Sequence, residues 1–138
     1  MLAAGYSIWK DAMTISLAYA SLLTLVYLLL SFNVSRQRRR CLVSLGDGDQ
    51  PPLRAAMRAH GNFAEYVPLA LLLLALDEAA GVSAPWLHAV GAMLLAGRIL
   101  HPFGIAMPAP NPPRVLGILL TWLALLLAAL LGLMRVFA

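Results

Sequence analysis

Charge is scarce in this 138-residue chain: Asp, Glu, Lys and Arg together make up 12%, about half of what a soluble domain carries. Lysine is nearly absent. Lys10 is the only one, so arginine supplies almost all of the formal charge of +4. Cys41 is the sole cysteine, which excludes an intrachain disulfide and leaves the redox compartment unreported; beside an arginine run it reads as an incidental interfacial residue. No histidine, cysteine or carboxylate set has metal-ligand spacing, so no metal site is expected. A Ser-His-Asp arrangement and a glycine-rich phosphate loop are missing too. So is an exposed basic face: the arginines gather at the edges of apolar runs, which argues against a nucleic-acid partner.

What is present is apolar. Hydrophobic residues make up 62% of the chain, and the mean hydropathy of +0.83 is that of a membrane protein. Crossing a ~30 Å hydrocarbon core takes about 20 helical residues, and four segments suffice: residues 12–33, 53–80, 86–103 and 114–137. The expected fold is therefore all-α, a single integral membrane four-helix bundle running up-down-up-down. The first run is too long for the h-region of a signal peptide, and no A-x-A site follows, so it reads as a span. Tyr6 and Trp9 are placed as interfacial anchors before it. After it come the arginines at 36, 38, 39 and 40 and a breaker-rich loop, S-L-G-D-G-D-Q-P-P. Pro68 is expected to kink the second helix. Asp77 and Glu78 are placed at its far interface, and Ser83 or Ala84 caps the third helix with Pro85 in its first turn.

Loop charges set the orientation. Arg36 to Arg40, Arg54, Arg58, Arg98 and Arg114 flank the first and third loops, whereas the second loop has no basic residue. The positive-inside rule then places those two loops in the cytoplasm and both termini outside.

The most informative stretch is R-A-A-M-R-A-H-G-N-F-A-E-Y-V-P, from Arg54 to Pro68. On a helix Arg54, Arg58, Asn62 and Glu65 follow at steps of four, four and three and share one face. Two guanidinium forks, an amide and a carboxylate suit a small zwitterionic ligand. Ionisable side chains at that depth of a membrane helix are costly and are kept mainly for function. Glu65 needs a cation, and Arg98 of the third helix is its natural partner, which leaves Arg54 and Arg58 for a ligand or for lipid phosphate. His60 lies roughly 200° around from Arg58 and reads as an inter-helix hydrogen-bond group. His101 reads as interfacial, His88 has no evident partner, and Gly61 and Gly97 read as sites of close helix packing.

R-A-H-G-N-F-A-E-Y-V-P after a polar loop, followed by A-G-R-I-L-H-P-F-G closing the third span, resembles the membrane-associated proteins in eicosanoid and glutathione metabolism, most closely their small bacterial members. The likeness covers the whole chain. It implies a homotrimer in the bacterial inner membrane, with glutathione as co-substrate bound between subunits near the cytoplasmic side. It also implies that Arg58, Asn62, Glu65 and Arg98 contact the tripeptide, with Arg54 on the same face and Arg36 or Arg38 contributing from the first helix. Arg114 matches the arginine placed near the sulfur, where a guanidinium favours thiolate over thiol. Arginine forks suit the two carboxylates of glutathione and Glu65 suits its ammonium. Lipophilic small molecules arriving through membrane lipid would be the electrophiles. Three positions depart from active relatives: Gly61 for an arginine, Ile105 for a tyrosine and Val115 for a serine.

The implied function is a glutathione transferase or peroxidase acting on lipophilic electrophiles. A non-catalytic binding or assembly module of the same fold is the alternative. A small cation exporter is a further one, although its carboxylate, Glu65, would sit among arginines that repel cations.

Overall fold

A computed structural model describes residues 13–137, and among them four helices make up the fold: α1 (Thr14–Cys41), α2 (Pro51–Ala79), α3 (Ala84–Ile105) and α4 (Pro112–Phe137). Tyr6, Trp9 and Lys10 lie outside the described residues. By length and composition α1, α2 and α4 can each cross a membrane; α3 is shorter and carries Arg98 and His101.

Helix α1 runs on through the arginines to Cys41, where the sequence suggested an end near residue 33. Arginine is a good helix former, and nothing between Asn33 and Cys41 breaks the ladder. The stop comes at Leu42, whose backbone turns left-handed (φ 55°) and whose N–H closes on the Arg38 carbonyl. The chain then folds back on α1. Arg38 Nη1 donates to the carbonyls of Ser44 (3.1 Å) and Gly46 (2.9 Å), and its other amine reaches Met57 Sδ at 3.6 Å.

Pro51 and Pro52 open α2, where their missing N–H groups cost nothing. The helix continues through Pro68 to Ala79. Ser83 is the N-cap residue of α3, although its side chain makes no capping bond. At this end Glu78 does more than mark a boundary. Its carboxylate accepts from the backbone N–H groups of Ile15 (2.9 Å) and Ser16 (2.7 Å) and from Ser16 Oγ (2.5 Å). It therefore caps the first turn of α1 from another helix, meeting orphan donors at the positive end of the helix dipole. Asp77, beside it, is buried against α4 near Gly132, with Oδ2 unpartnered among the described residues.

The core centres on Leu23 of α1, Phe63, Val67, Ala70 and Leu74 of α2, Leu87, Val90 and Leu94 of α3, and Ala124 and Ala128 of α4. The α3–α4 contact is the most extensive, and glycine sets its closeness. A Cβ at Gly97 would stand 2.8 Å from the Gly117 carbonyl, and one at Gly117 would stand 2.7 Å from the His101 backbone nitrogen. The packing reading of Gly97 holds, as expected for small residues between membrane helices. A Cβ added at Gly61 would meet nothing within 4 Å among the described residues, so close packing does not require glycine there.

Candidate functional site

Arg54, Arg58 and Asn62 do share one face of α2, and that face looks onto the ends of α3 and α4. Together with Pro51, Ala55, His101, Ile105 and Arg114 they line a cavity of about 290 Å³. A second compartment of about 370 Å³ shares Asn62, His101 and Arg114 with the first and adds Tyr66, Asn111 and Val115 among others. The two compartments adjoin at these shared residues and are together called the cleft, with three guanidinium groups on its walls and no carboxylate among the lining residues.

Behind this cleft stands Arg98, the largest fully buried side chain among the described residues at 1% exposure. The sequence suggested Glu65 as its partner, but the side chain goes elsewhere. Nη1 donates to Asn62 Oδ1 at 2.7 Å and approaches the Asn62 carbonyl at 3.5 Å, while Nη2 reaches the Gly117 carbonyl at 3.4 Å. Nε has no partner among the described residues, and the Tyr66 ring centroid lies 5.9 Å from the guanidinium carbon. Every acceptor is neutral. The reason is angular: Asn62 and Glu65 are three positions apart, so their side chains leave α2 about 60° apart. Asn62 turns toward α3, and Glu65 emerges on the exposed surface of the chain. A buried guanidinium with no anion among the described residues is costly.

Arg114 is held at the other wall by Asn111. The Asn111 side chain is buried; Oδ1 accepts from the Arg114 backbone N–H (3.0 Å), and Nδ2 donates to the carbonyls of Gly104 (2.9 Å) and Pro108 (3.0 Å). One amide thus ties the end of α3, the proline-rich loop and the start of α4. An Asn followed by two prolines is a readable N-cap signature, and it went unassigned at the sequence level. His101, expected at the interface, is 5% exposed and faces both compartments. Helix α3 continues through Pro102 to Ile105 and so carries His101 inside the bundle. Tyr66, the residue after Glu65 in the same motif, flanks Arg98.

Arg54 has a double engagement. It lines the cleft and is also paired with Asp47 and, at 3.0 Å, with Asp49 of the preceding loop. The Arg54 guanidinium hydrogen-bonded to Asp47 holds that carboxyl below its ordinary value of 3.8. Arg36 and Arg38 do not line the cleft: Arg36 is exposed on α1, and Arg38 braces the loop. His60 lies against the Tyr27 ring, centroids 4.8 Å apart, in place of the hydrogen bond expected of it. His88 does have a partner, since its Nδ1 is 3.2 Å from Tyr19 Oη. No cluster of three or more His, Cys, Asp or Glu suited to a metal occurs among the described residues.

A four-helix chain with a cationic cleft between its second, third and fourth helices now meets known proteins. The Inner membrane protein YecN of Escherichia coli (strain K12) is 39% identical over 119 residues, covering 86% of this chain and 90% of that protein. The protein of the same name from Escherichia coli O6:H1 matches to the same extent. No solved structure matches. The model of the MAPEG family matches residues 16–134, which takes in all but the ends of the bundle, so this integral membrane protein belongs to the MAPEG family.

Proposed function

We propose that this protein binds glutathione in the cleft between α2, α3 and α4 and presents its thiolate to lipophilic electrophiles, as a glutathione transferase or glutathione-dependent peroxidase. The observation that carries the reading is Arg98, buried with only neutral acceptors behind a cleft whose charged lining residues, Arg54, Arg58 and Arg114, are all cationic. A carboxylate entering there supplies the missing anion, and guanidinium forks bind carboxylates bidentately. A thiol lodged beside Arg114 loses its proton more readily, because the nearby positive charge favours the thiolate. Positioning and charge stabilisation then do most of the catalytic work, with the electrophile drawn from the bilayer.

The lining residues of one copy's cleft include no anionic acceptor for the ammonium of glutathione. Glu65 has the chemistry for it but sits exposed on the subunit surface, with no ion pair among the described residues. Assembly as a homotrimer brings Glu65 of one copy toward the cleft of the next and relieves an otherwise lipid-facing charge. We place the cleft on the cytoplasmic side: the arginines gather at that end, as the positive-inside rule favours, and the relative is named as an inner membrane protein. Binding without turnover is the second reading, favoured by Ile105 and Val115, which bring no hydroxyl to the cleft.

The test is a thermal-shift titration of the intact protein with glutathione, beside an assay of thiolate absorbance. Wild type is expected to gain stability with ligand and to lower the apparent pKa of the bound thiol, and Arg58→Ala is expected to lose both. Stabilisation without thiolate formation or conjugation selects the non-catalytic reading. No stabilisation at all refutes the proposal.

A further inference from the structure

The end of α1 and the loop after it carry features that the glutathione cleft leaves unused. Leu42 and Leu45 are 92% and 86% exposed, the two most exposed large apolar side chains among the described residues, and both lie beyond the apolar span. Leu42 moreover adopts a left-handed backbone (φ 55°), where glycine is the usual residue. Arg36, Arg39 and Arg40 stand exposed beside them, with no hydrogen bond or ion pair from their side chains among the described residues. The fourth arginine, Arg38, is occupied in folding the loop back.

Depth decides what these groups meet. The uncharged part of α1, Thr14 to Ser35, rises about 33 Å, enough to cross the ~30 Å hydrocarbon core. Arg36 to Cys41 add about 9 Å, comparable with the headgroup layer of one leaflet. The loop does not continue outward from there. The bonds from Arg38 to the Ser44 and Gly46 carbonyls return it to the level of the arginines. Three free guanidinium groups and two bare leucines therefore lie at the level of the lipid headgroups. Apolar side chains with neighbouring cations are what binds a protein segment into an anionic interface.

We infer that the segment Arg36–Leu45 is a lipid-docking element: Leu42 and Leu45 sink into the headgroup layer while Arg36, Arg39 and Arg40 bind the phosphates of anionic phospholipids. The acidic groups nearby oppose this only weakly: Arg54 offsets one of the two charges of Asp47 and Asp49, and the arginines at 36, 38, 39 and 40 outweigh the other.

Because Cys41 is the sole cysteine, the test needs few changes. The full-length variant Cys41→Ser/Leu45→Cys, labelled with an environment-sensitive fluorophore, is reconstituted into phosphatidylcholine vesicles with and without phosphatidylglycerol. Brominated lipid and aqueous iodide serve as opposing quenchers. The expected result is quenching by brominated lipid and protection from iodide, both stronger with phosphatidylglycerol. Near an anionic surface an arginine is worth about 1 kcal/mol, so each of the three changes the ratio of immersed to aqueous loop about fivefold. Replacing Arg36, Arg39 and Arg40 by glutamine should abolish the phosphatidylglycerol effect and leave thermal stability intact. Quenching by iodide alone would place the loop in water and overturn the inference. Protection from both quenchers would mean that a second copy of the chain covers it, which overturns the inference equally.

Discussion

Arg98→Met separates a guanidinium kept for a ligand from one kept for the fold. Methionine fills much the same slot with a flexible apolar chain. The substitution deletes the bonds to Asn62 and Gly117, each worth about 1.5 kcal/mol or more when the donor is charged. The Gly117 carbonyl keeps a donor in Thr121 Oγ1 at 2.9 Å, so only the Asn62 side-chain oxygen is left bare. Against that loss stands the desolvation of a guanidinium with no counter-anion, a cost of several kcal/mol. The balance lies between zero and about 3 kcal/mol in favour of methionine. The ligand-free variant should therefore melt at or above the wild-type temperature. Its response to glutathione is expected to vanish, whereas wild type at a hundredfold excess over Kd gains about 2.7 kcal/mol. Paired melting curves in detergent, with and without glutathione, read both quantities. A ligand-free loss above about 4 kcal/mol, the cost of breaking a buried pair, would make Arg98 a structural bolt. A preserved glutathione response would refute the reasoning from the other side.

Two further outcomes follow from geometry away from the cleft. Glu78→Gln keeps the shape of the α1 cap but removes its charge, and it is expected to lower stability by about 1–2 kcal/mol in thermal melts while leaving glutathione binding unchanged. Acid should loosen the first loop. The Asp47 carboxyl is depressed by Arg54, so its contribution is full above the unfolded value near 3.8 and is lost as pH falls through the lower folded value. Limited proteolysis between Leu42 and Gln50 should accelerate only below about pH 4, and Asp47→Asn should cleave faster at neutral pH.

Periodicity made the second helix legible before any coordinates. Steps of four residues put Arg54, Arg58 and Asn62 on one face, and they line one cleft. Position along a single helix says little about which neighbour a side chain meets, however. Arg98 and Glu65 lie near the same end of the bundle, yet a rotation of about 60° between Asn62 and Glu65 decides which of them the guanidinium reaches. The Glu78 cap escaped notice for the same reason, since it joins residues more than sixty positions apart. The extended α1 is a different kind of miss. Arginine marks a membrane edge without ending a helix, and the true stop lies in the left-handed turn at Leu42. The cap at Asn111 was local and readable, for N-P-P-R carries the residues that an N-terminus favours.

The glycine seam also dictates how the cleft can move. Gly97, Gly104 and Gly117 bring α3 and α4 into backbone-to-backbone contact, so Arg98, His101 and Arg114 travel as one rigid jaw. Arg54, Arg58 and Asn62 ride on the opposing jaw, α2. Admission of a bulky guest must then part α2 from that welded pair, and the Arg98–Asn62 bond is the latch that has to give way first.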